Sequence, residues 1–212
     1  IKDNKEPVTC IIGGSKISTK INVITSLIKK INNLIIVGAM ANNFFVFKKF
    51  KVGKSLVEND TTEVIEKIYN EAKKSECEII IPEDCMVSTS LEGHGNNKTL
   101  EHIEKDDIIL DIGSKTIEKI NQTIDKSSTL LWNGPAGYFE NKNFLNGTMS
   151  IAENISQNTK KKTLISVIGG GDTLAAINKS KNKLSFSHLS TAGGAFLEYL
   201  EGKDLPGISV LK

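Results

Sequence analysis

The sequence contains no arginine; all 27 of its lysine-plus-arginine residues are lysine. Arginine is the usual bidentate clamp for carboxylates and phosphates. Any phosphate bound here must therefore be held by lysine point charges and backbone N–H groups. Isoleucine, asparagine and lysine are used heavily, and a compositional drift toward them accounts for the absence without changing that consequence. Cysteine is scarce as well. Cys10, Cys77 and Cys85 are odd in number and lie in or beside apolar stretches. This excludes a disulfide framework and predicts small buried thiols in a reducing, cytoplasmic setting. His94, His102 and His188 are scattered without metal-ligand spacing. No apolar run approaches the roughly 20 residues needed to cross a bilayer, so no membrane partner is expected. The net charge of +2 lacks the basic excess of a nucleic-acid binder.

What is present is the composition of a folded domain. The 212 residues are 39% hydrophobic, 25% charged and 6% aromatic, which disfavours disorder and suffices for a core without metals or disulfides. Short apolar runs alternate with helical patterns. Strands are expected over Val8–Ile12, Leu34–Val37, Glu78–Ile81, Ile108–Ile112, Thr129–Trp132, Thr163–Ile168 and Ser187–Ser190. Ile17, Ile21, Ile24, Ile28 and Ile31 share one face at helical spacing. Further helices are expected from Gly38 to Phe47, Thr61 to Lys74, Ser114 (as cap) to Lys126, Leu145 to Gln157, after Asp172, and from Gly194 to Glu201. Glu92–Asn97 reads as a loop. The alternation implies an α/β fold: a three-layer αβα sandwich with a mainly parallel, Rossmann-like sheet, in one domain. The strands read as continuous apolar runs, as a sheet covered on both faces requires.

In such sheets ligands bind at the carboxyl ends of strands. Four strand ends carry small-residue loops: Gly13-Gly14-Ser15-Lys16, Gly38-Ala39-Met40, Asn133-Gly134-Pro135-Ala136-Gly137 and Gly169-Gly170-Gly171-Asp172-Thr173. One such loop is commonly only a turn. Four on one edge point to a phosphate-bearing ligand, because glycine allows close backbone approach and helix starts offer N–H groups to anions. Lys16 and Lys20, four apart at a helix start, would form a two-pronged phosphate clamp. Asp172 is either a helix cap or a ligand, direct or through water, to a Mg²⁺ shared with phosphate oxygens. Thr173 would add a hydroxyl to the same phosphate, Glu140 would accept from a ribose, and Trp132 would pack. Two nucleotide motifs fail. Gly53-Lys54-Ser55 looks like the end of a Walker A loop, but its first glycine would fall at Lys48. The dinucleotide fingerprint started at Gly169 ends on Leu174, which disfavours a dehydrogenase.

Gly13-Gly14-Ser15-Lys16-Ile17-Ser18-Thr19-Lys20, Trp132-Asn133-Gly134-Pro135, Phe139-Glu140, Gly169 to Thr173, Ser190-Thr191-Ala192-Gly193-Gly194 and Leu205-Pro206-Gly207 together resemble the phosphoglycerate kinase family. They stand in that family's order across nearly the whole chain. The resemblance is to the carboxyl-terminal, nucleotide-binding half, residues 1–212. The amino-terminal half, which in the family binds phosphoglycerate through arginines and a histidine, is expected to be absent, in keeping with a start at Ile1. The implied reaction is glycolytic, reversible phosphoryl transfer from 1,3-bisphosphoglycerate to ADP, giving ATP and 3-phosphoglycerate, with Mg²⁺ as cofactor. The resemblance places Lys16, Gly170 and Gly171 at the transferred phosphoryl group. Lys20 and Asn133 fall at the nucleotide phosphates, Gly169 in the same loop as Gly170 and Gly171 near the phosphoryl-transfer site, Thr173 beside Asp172 among the nucleotide-binding residues, Glu140 at the ribose, and Gly14, Gly38 and Pro135 in the nucleotide pocket. Asp172 is the Mg²⁺ residue. Four positions depart from the family. Ser15 stands for alanine, Thr19 for a frequent aspartate, and Ala39 for a glycine near the nucleotide. Ala192 replaces the first glycine of a helix-starting run. A monomer with little activity on its own is expected. The alternative is an adenine-nucleotide-binding module without catalysis.

Overall fold

The computed structural model describes residues 5–203; the Leu205-Pro206-Gly207 motif lies outside them. In chain order the elements are β1 (Val8–Ile12), α1 (Ile21–Ile28), β2 (Asn33–Ile36), α2 (Ala41–Phe47), α3 (Thr62–Lys74), β3 (Glu78–Ile80), β4 (Asp84–Ser88) and β5 (Asn96–Thr99). They continue with β6 (Ile108–Ile112), α4 (Ser114–Asp125), β7 (Thr129–Asn133), α5 (Asn146–Lys160), β8 (Ile165–Gly169), α6 (Gly171–Ile177), β9 (His188–Ser190) and α7 (Gly193–Glu201). Single 3₁₀ turns cover Leu100–His102 and Lys142–Phe144.

Six strands form one parallel sheet in the order β3-β2-β1-β7-β8-β9. The alternation of side chains along β1 shows how it is covered. Val8, Cys10 and Ile12 enter one core with Ile24 and Ile28 of α1, Phe44 and Phe45 of α2, and Ile65 and Ile68 of α3. Ile11 enters the opposite core with Ile120 and Ile124 of α4, Ile151 and Ile155 of α5, and Trp132. Each fully buried side chain of this size stabilises the fold by about 1.5–3 kcal/mol relative to exposure. The three-layer αβα sandwich expected from the strand–helix alternation is what forms.

A second sheet was not anticipated. β5, β4 and β6 form a three-stranded antiparallel sheet. Ile108–Ile112, expected as a strand of the parallel sheet, is β6 of this one, and part of the expected Glu92–Asn97 loop is β5. The reason is physical. β5 reads Asn-Asn-Lys-Thr and has no apolar face, so its strand form comes from pairing with β4, not from its own pattern. The small sheet seats Cys85 and Val87 in one core and Ile112 in the other.

Two helix starts also differ from expectation. Ser114 does not cap α4; it is that helix's first residue, and Gly113 precedes it in an extended conformation. The cap comes from β4. The Asp84 carboxylate accepts from the Lys115 and Thr116 amides at 3.1 and 2.8 Å and from the Thr116 hydroxyl at 2.7 Å. Burial alone would raise the Asp84 pKa. The bonds from Thr116, Asn97 and Lys115 outweigh it and hold the group below its ordinary value. The isoleucine face from Ile17 to Ile31 is buried as predicted, apart from the half-exposed Ile21, but regular helix occupies only Ile21–Ile28. Residues 18–20 form a turn, so Lys16 precedes the helix and Lys20 caps it.

Candidate nucleotide and phosphoryl-transfer site

Parallel pairing brings the ends of β1, β2, β7 and β8 to one edge, and backbone hydrogen bonds lock their loops together. Gly13 N donates to Asn133 O at 2.8 Å, Gly38 N to Ala136 O at 3.1 Å, and Met40 N to Gly14 O at 2.8 Å. Gly38 has φ +70°, and a Cβ there would lie 2.8 Å from Gly14 N. Only glycine fits both the conformation and the space. Trp132 is fully buried, as expected of a packing residue, and its Nε1 donates to Gly134 O at 2.7 Å.

Beside these loops opens a cavity of about 350 Å³. Gly14, Gly38, Pro135, Glu140 and Asp172 all line it, so five expected site residues meet there. Its remaining wall is mainly apolar, with Phe45, Leu56, Pro82, Ile109 and Ile112. Ala39 lines it too, where the family's glycine would leave more room. Lys16, Lys20, Asn133, Gly169, Gly170, Gly171 and Thr173 are not among the residues that line it.

Lys20 reaches back under the first glycine turn. Its Nζ donates to Gly13 O at 2.6 Å and to Asn133 Oδ1 at 3.2 Å. Burial lowers its pKa, and the nearby Asp172 carboxylate works against that. Asn133 is 5% exposed, and its Nδ2 has no hydrogen-bond partner. That amide faces Gly170, where a Cβ would sit 2.9 Å away and where φ is +97°. A buried donor without an acceptor is costly. An anionic oxygen in front of the Gly170 loop would satisfy it.

At the same edge α6 begins at Gly171, with Asp172 in its first turn. Asp172 is not the cap, since Gly170 holds that position. First-turn amides of any helix lack intrahelical partners, and a Cβ on Gly171 would meet nothing within 4 Å, so the approach is open. Thr173 is fully buried, and its hydroxyl oxygen accepts from Gly134 N at 2.7 Å. This bond ties Thr173 to the glycine-proline loop.

Lys16 is exposed, next to Ser15 on the cavity wall. Lys16 and Lys20 stand on a turn before α1 and not on the one helical face that their spacing suggests. The Thr19 hydroxyl donates to Lys16 O at 3.0 Å. Ile17 N and Ser18 N donate to Glu58 Oε2 at 2.7 and 3.2 Å, and the Ser18 hydroxyl donates to Oε1. Both amides are therefore taken by a carboxylate of the protein. Glu140 is exposed at the rim, and its turn is held by Lys179, whose Nζ donates to Phe139 O at 2.7 Å and lies 5.2 Å from the Phe139 ring centre. Glu58 and Lys179 escaped the sequence reading because each acts 39 to 41 residues from its partner. No local spacing signals such a contact.

A magnesium ion fits this donor set in one way. Among the described residues no three His, Cys, Asp or Glu side chains converge, so there is no closed protein cage. A lone carboxylate at a glycine edge suits an ion that takes most of its oxygens from phosphates and water. Nor is any helix among the described residues long and apolar enough to cross a membrane.

The family model for phosphoglycerate kinase matches residues 1–203. The phosphoglycerate kinase of Chelativorans sp. (strain BNC1) is 44% identical over 212 residues, which is 99% of this chain and 53% of that protein. The phosphoglycerate kinase of a Wolbachia strain from Drosophila simulans is 43% identical over 98% of this chain and 52% of its own. The solved phosphoglycerate kinase of Coxiella burnetii superposes with a TM-score of 0.92 at 36% identity, covering 99% of this chain and 54% of that one. The chain thus spans about half the length of the curated relatives it matches. With a family match over residues 1–203, relatives at 43–44% identity and a fold that superposes over 99% of its length, the chain belongs to the phosphoglycerate kinase family.

Proposed function

We propose that residues 1–212 are the carboxyl-terminal, nucleotide-binding half of a phosphoglycerate kinase. The full enzyme would move a phosphoryl group reversibly between 1,3-bisphosphoglycerate and ADP, giving ATP and 3-phosphoglycerate in cytoplasmic glycolysis. Phosphoryl transfer asks little covalent chemistry of a protein; it needs in-line positioning and neutralisation of oxygen charge. In this reading the cavity takes the nucleoside, with Gly14, Gly38 and Pro135 against the base and Glu140 toward the ribose. Lys20, Asn133 and the Gly169–Gly171 loop face the phosphates. Lys16, on the exposed side of its turn, meets the phosphoryl group in transit. Thr173 acts through Gly134, by shaping the loop. Asp172 would hold Mg²⁺ together with the nucleotide phosphates, and the ion would neutralise their charge. The acid substrate's site would lie on the other half, outside this chain, so the segment alone would bind nucleotide and turn over little.

The observation that carries this reading is the Asn133 side chain. One end is tied to the Lys20 ammonium, the other is buried without an acceptor, and a glycine that admits no Cβ stands beside it. That is an anion receiver built before its anion. Calorimetric titration of the chain with ADP and Mg²⁺ tests it. Saturable, one-to-one binding is expected. Absence of binding to the folded chain would count against the proposal.

A further inference from the structure

We propose that Glu58 is a positioning residue: it holds the Lys16–Lys20 turn in its phosphate-receiving shape before any nucleotide arrives. The inference rests on the kinase reading above, because it assigns Glu58 a purpose through Lys16.

Glu58 lies in the loop between α2 and α3, 40 residues from Ser18. Its carboxylate takes three donors from the turn: the Ile17 amide, the Ser18 amide and the Ser18 hydroxyl. A carboxylate that accepts charge-assisted bonds from backbone amides holds them more strongly than a neutral acceptor would. Glu58 is itself anchored. Its amide donates to Asn43 Oδ1 at 2.9 Å. Asn43 is 1% exposed, and its Nδ2 donates to Met40 O at 3.3 Å. Met40 N in turn donates to Gly14 O at 2.8 Å. The bonds close a ring from the first glycine turn, through the start of α2 and the Glu58 loop, back to residues 17 and 18.

The choice of donors matters. Glu58 binds the backbone and hydroxyl of the turn; among the described residues it forms no ion pair with Lys16. The turn is fixed while the Lys16 amine stays available for an incoming phosphate. A carboxylate paired directly with that amine would compete with the phosphate instead. Burial pushes the Glu58 pKa up, but the bonds from Ser18 and Ile17 and the nearby Lys16 charge outweigh it and keep the carboxyl below its ordinary value. The clamp is therefore ionised at neutral pH.

The test compares Glu58→Ala and Glu58→Gln with the unaltered chain, reading two quantities. Hydrogen exchange of the Ile17 and Ser18 amides in the nucleotide-free protein is expected to quicken about tenfold or more in Glu58→Ala. Glutamine, which keeps the accepting oxygen, restores most of the protection. Binding of AMP, ADP and ATP with Mg²⁺ is the second readout. Glu58→Ala is expected to weaken ATP about tenfold, ADP less, and AMP not at all, because only the distal phosphates reach Lys16. An equal loss for all three nucleotides would reduce Glu58 to a structural role. Unchanged exchange at Ile17 and Ser18 would overturn the clamp itself. If the unaltered chain binds none of the three, the kinase reading fails and this role with it. Protection of the two amides in that case would locate the failure in the nucleotide assignment and not in the clamp.

Discussion

Two strand ends of the same sheet meet at the proposed site, and they solve one problem in opposite ways. After β1, the turn that leads into α1 has its Ile17 and Ser18 amides bound by Glu58, and what it presents outward is lysine. After β8, the start of α6 presents bare backbone: Gly170 at φ +97°, an open Gly171, and the unpartnered Asn133 amide beside them. A chain without arginine cannot use a guanidinium fork. In the proposed site the cationic part and the N–H part of such a fork would be divided between two loops, with Asn133 between them, accepting from Lys20 and facing Gly170. Glycine-rich strand ends of similar composition therefore do different work, and the deciding residues lie elsewhere in the chain.

Substitutions at the two ends should separate these roles. The largest effect is expected from Lys16→Ala in a full-length enzyme carrying this half. It should lower kcat by about 10²–10³-fold, the usual cost of removing one donor to transition-state charge; a normal rate of ATP formation would remove Lys16 from catalysis. Gly170→Ala comes next. The left-handed conformation and the approach to Asn133 Nδ2 should cost about 1–3 kcal/mol in chemical denaturation and weaken ADP binding; an unchanged denaturation midpoint would show that the loop relaxes freely. Asp172→Asn should weaken ADP binding about tenfold in the presence of Mg²⁺ and much less in its absence. Equal losses in both conditions would take Asp172 away from the metal. The smallest effect is expected from Thr19→Ala. It removes one exposed hydroxyl bond to Lys16 O and should cost no more than about 1 kcal/mol.

Acid should distinguish the ends as well. The Glu58 carboxyl is held below its ordinary value in the folded protein. Its contribution is present above its unfolded pKa and is lost as pH falls through the lower folded one. The Ile17 and Ser18 amide resonances should therefore move together only below the ordinary glutamate range of about 4.3, and should not titrate in Glu58→Gln.

Much of this was legible in the sequence because it is local. The parallel strands are continuous apolar runs, and the glycine loops follow them directly, so convergence of Gly14, Gly38, Pro135 and Asp172 on one edge follows from topology alone. The small antiparallel sheet was not legible. β5 is polar and owes its shape to β4, and the cap of α4 comes from Asp84, 31 residues before Lys115. At the site the same limit applies. Lys20 and Asp172 declare themselves by their neighbours, whereas Glu58 looks like one charge in a surface loop until its partners at 17 and 18 are seen. The isoleucine spacing marked the right buried face but overstated the helix, because a side-chain pattern does not record where a distant carboxylate fastens the first turn.

The central claim is that one edge of the sheet receives the nucleotide's phosphates while the adjoining cavity holds its nucleoside. The most direct measurement is amide NMR of the chain during titration with ADP and Mg²⁺. The account predicts saturable shifts at Gly14, Gly38, Glu140 and Gly170 to Asp172, with little change at the far ends of β1 and β8. Shifts confined to another surface, or none at saturating nucleotide, would contradict it.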